Sequence, residues 1–345
     1  MKIEKRFLAT LERCYACNSI EVDGLRRILL ATEGRGACLA WTAPDYTRSH
    51  VVWDGPGGTM SMAPIPGTNG EFLAVQQFFR MYDWEEAKLA HVRPLASGGY
   101  EVTGILRLPY IHRFDLLTVG GRHYFIACTL ATAKAAKDDW SHPGKIWVGE
   151  YTAPGPLPVR VLKDGLSKNH GYSRLTRDGA THGLVTCEQG AFQVTPPHAP
   201  DGDWQVRQFM DWPIGDIAAI DIDGDGELEF ATIEPFHGQY FRVYKKIDGA
   251  FVKLFEHPEV SEFYHVVVGA TLAGEPVFIG GCRRGKQQLF YVRARRKAPL
   301  ELEAVLIEAG VGPSNACVVH EPGRDIIVAA NREKAEAALY FVTPS

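Results

Sequence analysis

The sequence predicts an all-β chain on three observations: short apolar or alternating runs between Gly- and Pro-containing turns, a strand–turn–strand unit that recurs along the length, and almost no helical periodicity. Thirty-five Gly and 21 Pro punctuate the chain. Only 74–90 (AVQQFFRMYDWEEAKLA) and 331–339 (NREKAEAAL) have the pattern for a helical turn or two. The recurring unit is an alternating strand, a Gly-containing turn, a strongly apolar strand, a polar loop, a third strand and a charged fourth.

In chain order, the first copy opens with CNSIEVDGLRRILLATEGRGACLAW. Residues 59–106 read as a second copy with an enlarged loop, and YIHRFDLLTVGGRHYFIACTL with KIWVGEYTA is the third. NHGYSRLTRDGATHGLVTCEQGAFQVTPP opens the fourth, PIGDIAAIDIDGDGELEFATIEP the fifth, and FYHVVVGATLAGEPVFIGGCRRG the sixth. The last, SNACVVHEPGRDIIVAANREKAEAALYFVT, stops after three strands, and KIEKRFLATLER at the amino terminus has the alternation of the missing fourth. Seven units over 345 residues is about 49 each, the size of a four-stranded propeller blade. The expected fold is a seven-bladed β-propeller forming one domain over 1–345, closed by its N-terminal strand so that no long sheet edge stays unpaired. Two β-sandwich domains are the competing reading.

Composition narrows the function. A chain 46% hydrophobic and 23% charged can bury a large core, and its longest apolar runs fall far short of the ~18 residues a membrane span needs. MKIEKRFLATLERC has no apolar stretch of the secretory type. Thirty-seven Lys and Arg against 41 Asp and Glu give no general attraction to nucleic acid. Seven scattered cysteines suit reduced thiols in the cytosol better than a disulfide framework. The expected partner is a small molecule or oligosaccharide, with no nucleic acid and no membrane.

Blade register divides the polar residues by face. In a propeller, the loops entering each first strand and those joining second to third strands share one face. The second-to-third loops carry Arg80 with Asp83, then Lys134, Asp138, Asp139 and His142, Glu188, His237, Arg283 and Arg332. The inner-strand starts carry Tyr15, Tyr110, His112 and Arg113, Lys168, Asn169, His170 and Arg174, Asp216, Tyr264 and His265, and Asn315. The opposite face receives the Gly turns VDG, VGG, RDG, DIDGDG, LAG and EPG. Amides and Arg forks match sugar hydroxyls and carboxylates. Arg113, Lys168, Asn169, His142, His237, Arg283, Asn315 and Arg332 are therefore candidate substrate-binding residues, with Trp140 on the long insertion TLATAKAAKDDWSHPGK as a wall. A single histidine is more often structural than functional, but His112, His170 and His265 recur at equivalent blade positions.

DIDGDGELE places Asp221, Asp223, Asp225 and Glu229 around a Gly-containing hairpin, the donor pattern of a hard cation. The alternatives are a structural Ca²⁺ site and a plain polar hairpin. It lies on the face opposite the histidines. Cys14-x-x-Cys17 has no second pair for zinc. There is no P-loop, no dinucleotide fingerprint and so no nucleotide cofactor; GPSNA at 312–316 is not a nucleophile elbow, and the sialidase hairpin motif is missing.

The blade pattern, with YIHRF around His112, DDWSHPGK with His142, NHGYSR with His170, EPFHG with His237 and EFYHV with His265, resembles the seven-bladed propeller lyases and dehydratases: ulvan lyases, rhamnose-glucuronate lyases and the propeller of aldos-2-ulose dehydratase. The DIDGDGELE hairpin is similar to the cation loop of FG-GAP/VCBS repeats. The resemblance implies β-elimination on a carbohydrate, which needs a base, an electrophile for the enolate and an acid for the departing oxygen. In that reading His112 or His170 is the base, Tyr264 or His265 the acid, and Arg174 or Arg113 the charge neutraliser. A zinc or other divalent ion on His112, His170 and His265 is the alternative electrophile. The absence of an export segment favours a small sugar acid, keto sugar or imported oligosaccharide over an extracellular polymer. Two other classes stay open: a non-catalytic platform for protein or glycan, and a glycoside hydrolase using Asp138, Asp139, Glu188 or Asp216.

Overall fold

A computed structural model describes residues 1–79, 84–152, 154–177, 179–199 and 202–345; Arg80 and Asp83 lie outside them. Seven four-stranded antiparallel sheets account for the strands, and the fold is the all-β seven-bladed β-propeller that the repeat predicted. Within six of the sheets the strands pair in simple sequence order, as short turns between antiparallel neighbours require. The seventh sheet is completed from the other end of the chain. Lys2–Thr10 pairs with Glu336–Thr343, from Lys2 opposite Thr343 to Thr10 opposite Glu336.

The described residues form two compact units, Arg13–Trp212 and Met1–Glu12 with Pro213–Ser345. The first holds four sheets, beginning with the strands Cys14–Val22, Met62–Pro64, Ile111–Val119 and Gly171–Arg177. The second holds three, beginning with Asp216–Ile220, Tyr264–Leu272 and Asn315–Glu321.

In both units the apolar second strand of a sheet is the most buried. Leu25–Thr32 is fully enclosed from Ile28 onward and Arg122–Thr129 from Tyr124 onward. A strand packed on both faces reads as a continuous apolar run, which is what those segments show. The cores lie between consecutive sheets. Ala16, Leu29 and Ala40 pack with Met62, Phe72 and Val92 in the first unit, and Phe241, Val243 and Ala231 pack with Phe278, Phe290 and Val292 in the second.

Of the two helical expectations, 331–339 is met by one short turn only, and 74–90 includes residues 80–83, which lie outside the described ones. Strands Phe72–Gln76 and Lys88–Pro94 occupy the ends of 74–90. In 331–339 a single 3-10 turn, Arg332–Lys334, leads straight into Glu336–Thr343. Cross-strand pairing to Lys2–Thr10 outweighs the helix propensity of the Ala-Glu run. No helix of the described residues is long and apolar enough to cross a membrane.

Candidate functional site

In the Arg13–Trp212 unit, His112 and His170 stand together at the starts of neighbouring inner strands. Their ring centroids are 4.3 Å apart, and both side chains are shielded from solvent. His112 Nδ1 lies 3.3 Å from the His170 backbone oxygen. A carbonyl only accepts, so that nitrogen carries the proton and Nε2 is the basic one. Nε2 in turn faces the Tyr15 hydroxyl at 3.4 Å. Phe78 approaches the His112 ring edge-on at 5.4 Å and stacks on Trp84 at 5.3 Å; Trp84 meets Tyr110 at 5.6 Å. The pair thus has a phenol beside one imidazole and is set in an aromatic wall. Such a histidine can take a proton from carbon and the phenol can relay one.

The remaining residues expected in this unit divide between mouth and scaffold. Asn169 is wholly buried, and its amide donates to the Thr129 and Lys145 carbonyls at 3.3 and 3.0 Å. Through that amide it clamps the loop that carries His170. The Arg174 fork is spent on Asp115: Nε donates at 2.9 Å and Nη2 grips the second oxygen and the Leu116 carbonyl. Tyr172 donates to the same carboxylate at 3.0 Å. Burial opposes the Arg174 charge, but Asp115 more than compensates and holds its pKa above the ordinary value. Arg174 is a partner of Asp115 before it is anything else, which corrects its reading as the charge neutraliser. Arg113 donates to the Met60 carbonyl at 3.3 Å, Lys168 pairs with Glu188 at 2.7 Å, His142 is exposed, and Trp140 covers the Lys134 ammonium at 3.3 Å.

In the other unit, His265 and His237 form a second pair. Their rings are 5.4 Å apart and stacked, with Phe236 and Phe263 on either side of His237 at 3.9 and 4.3 Å. His265 Nδ1 donates to the Ser314 carbonyl, leaving Nε2 as its basic nitrogen. His237 has a left-handed backbone with φ of 49°. It is followed by Gly238, where a Cβ would fall 2.1 Å from the Glu234 carbonyl, so only glycine lets the chain turn there. Each of these two histidines offers a ring nitrogen within 4.8 Å of the other, as two ligands of one ion would. Among the described residues no such grouping includes His112, whose two nitrogens face a carbonyl and a phenol, which sets it apart from the expected zinc set.

Tyr264 is a second correction. It is fully buried, lies 2.8 Å from His257 Nδ1, which accepts from the Glu259 amide, and donates to the Glu259 carbonyl at 2.5 Å. Burial pushes its phenol well above the ordinary range. Tyr264 packs with His257, Phe241 and Phe290, whereas His265 packs with His237 and Phe263, so the two do not share surroundings and the acid role falls away from Tyr264. Arg283, also buried, forks onto Glu333 at 2.7 Å and lies over Phe263 at 4.6 Å. Arg332 pairs with the same Glu333 at 2.8 Å, and Asn315 is half-buried at the start of its strand.

The DIDGDGELE hairpin has its own cation. Lys245 Nζ lies 3.0 Å from Asp223, 2.7 Å from Asp225 and 2.6 Å from Glu229. It comes from the adjacent strand, directly opposite Glu229. Asp221 accepts from the Gly224 and Gly226 amides, Asp225 from Glu227, and Glu229 from Ile222. Burial alone would lower the Lys245 ammonium, yet the hydrogen bonds to Asp225, Glu229 and Asp223 raise it above its ordinary value. Asp221, Asp223 and Asp225 are close enough to hold an ion, but the ammonium already supplies the positive charge, and a dication would have to compete with it. The donor set fits a self-neutralised hairpin better than a calcium loop.

Sequence reasoning missed Phe78 and Trp84, which lie in the segment read as helical; only the aromatic density of QQFFRMYDW hinted at them.

Virginiamycin B lyase from Staphylococcus aureus superimposes over 100% of this chain and 99% of its own, with a TM-score of 0.61 and 12% identity. A catalytically inactive variant of that lyase with quinupristin gives the same TM-score and identity, over 99% of both chains. A putative 6-phosphogluconolactonase from Bacteroides uniformis matches with a TM-score of 0.54 and 10% identity, over 89% of this chain and 85% of that one. At such identities the likeness is one of fold. No family model and no curated protein matches the chain, so the FG-GAP/VCBS likeness finds no support as a family.

Proposed function

We propose that the chain is a carbon–oxygen lyase or dehydratase that performs β-elimination on a small sugar acid, keto sugar or oligosaccharide. The observation that carries this reading is His112: a buried imidazole with Nδ1 against a carbonyl and Nε2 against a phenol. It takes the proton beside the substrate carbonyl, and Tyr15 relays a proton toward the departing oxygen, with His170 stacked against the base. A lyase and a lactonase-like protein among the structural neighbours are in keeping with such chemistry on this scaffold. The reaction belongs in a reducing compartment, in keeping with seven cysteines that form no disulfide.

Hydrolysis is less well supported. A hydrolase acid needs a raised carboxyl pKa, whereas the Ala135 amide and the Ser141 hydroxyl and amide hold Asp139 far below its ordinary value, and Glu188 is paired with Lys168.

The test is turnover of a panel of sugar acids and keto sugars, followed by absorbance of the unsaturated product, for wild type and the single variants His112→Ala, Tyr15→Phe, His170→Ala, His237→Ala and His265→Ala. His112→Ala is expected to lose about 10²- to 10⁴-fold in rate. Undiminished turnover in His112→Ala removes the proposal. Loss in the His237 and His265 variants as well assigns both pairs to one reaction, and metal analysis of the wild type then tells whether an ion takes part.

A further inference from the structure

On the insertion Leu130–Pro143, the Lys134 amine occupies an unusual setting. Its nitrogen is screened from water and has no hydrogen-bonding partner among the described residues. It sits 3.3 Å above the Trp140 ring and 5.4 Å from Trp84, while the Lys134 backbone hydrogen-bonds the Tyr110 phenol and fixes the residue in place. An ammonium ion needs three acceptors or water. Two indole faces return about 2 kcal/mol at best, against several kcal/mol for desolvating the ion. Lowering by burial, reinforced by the nearby positive charge of Lys168, outweighs the attraction of Asp139 and Asp138, so the amine gives up its proton more readily than an exposed lysine. Desolvation beside another cation is how a lysine becomes a nucleophile. The same aromatic wall reaches the proposed base: Phe78 stacks on Trp84 and touches His112.

We propose that Lys134 is a nucleophilic amine that condenses with the carbonyl group of an aldehyde or ketone substrate. The Nζ lone pair attacks the carbonyl carbon and a C–N bond forms. The carbonyl oxygen leaves as water, carrying away both protons of the amine, and an imine remains. No oxidant or reductant is consumed. The inference rests on the elimination reading for its substrate class, a keto or aldehydo sugar in place of a uronate. Once protonated, the imine accepts the electron pair released when His112 removes the neighbouring proton, so Lys134 would supply the electrophile that Arg174, held by Asp115, does not.

The experiment is reductive trapping of the full chain near neutral pH with pyruvate or dihydroxyacetone and cyanoborohydride, read by peptide mass spectrometry. Lys134 is expected to carry the reduced adduct about tenfold or more above the exposed lysines, because each unit of pKa lowering raises the neutral fraction about tenfold. Lys134→Arg should abolish that adduct. Trp140→Ala, which hydrates the amine, should move the labelling pH profile upward, a readout independent of how well Lys134→Arg folds. Labelling of Lys134 no greater than that of exposed lysines, or a pH profile unmoved in Trp140→Ala, overturns the inference. Adduct formation that persists in His112→Ala without turnover upholds it; elimination from a uronate without any Lys134 adduct overturns it while leaving the elimination reading intact.

Discussion

Two lysines in the same protein show how far environment governs an identical side chain. Lys245 is nearly buried among three carboxylates and holds its proton more tightly than a free lysine. Lys134 is half-buried, with its nitrogen screened by two indoles, and holds its proton less tightly. Burial opposes the charge in both cases; what differs is whether acceptors repay it. The acidic hairpin therefore reads as scaffold, closed and self-neutralised, and the aromatic wall as chemistry, poised and incompletely satisfied.

The contrast breaks most visibly at Lys245. Lys245→Met leaves Glu229, fully buried, and Asp223, nearly so, with no cation. It should cost about 3–5 kcal/mol in urea unfolding, the usual penalty for removing one partner of a buried ion pair. The wild-type melting temperature should respond to neither EDTA nor Ca²⁺, whereas Ca²⁺ should return part of the loss in the variant. A rise in the wild-type melting temperature with Ca²⁺ would show that the carboxylates prefer a metal to the ammonium.

A smaller effect sharpens the comparison through pH. The folded pKa of Lys245 is raised, so its contribution is complete below the ordinary 10.5 and disappears as pH rises through the folded value. For Lys134 the folded pKa is lowered, so the unfolded chain binds more protons and stability rises as pH climbs toward 10.5. Urea unfolding between neutral and strongly alkaline pH should give difference curves of opposite slope for Lys245→Met and Lys134→Met against wild type. Slopes of the same sign would mean that the two amines do not differ as described.

The smallest expected effect separates core from site. Tyr264→Phe removes the hydrogen bonds to the Glu259 carbonyl and His257 and should cost about 1 kcal/mol in unfolding, with turnover unchanged. A large loss of turnover at normal stability would return Tyr264 to the chemistry.

Much of the architecture was legible because a blade is a local object. Turn residues, apolar second strands and the truncated last copy sit close together in sequence, and each sheet pairs with its own neighbours. The helical run at 331–339 is cut to one 3-10 turn by a strand partner more than three hundred residues away. The site was legible only in part. His112 and His170 stood out by position, and their pairing within one unit follows. That Tyr264 and His265 have different neighbours follows from packing around a strand irregularity, which the sequence does not mark. Phe78 and Trp84 carried no periodic mark in the sequence.

The DIDGDGELE hairpin divides the two kinds of knowledge most clearly. Its alternating carboxylates are a property of consecutive residues, and so are the turns, the strand order and the repeat count, because backbone sterics and hydrophobic alternation act over a few positions. That Lys245 would fill the hairpin, that Asp115 would claim Arg174, and that two tryptophans would close over Lys134 depended on strand register and loop packing. Those bring distant side chains within a few ångströms, where desolvation and hydrogen bonding decide which group keeps its charge. Composition places such residues in the molecule; only the folded chain chooses their partners.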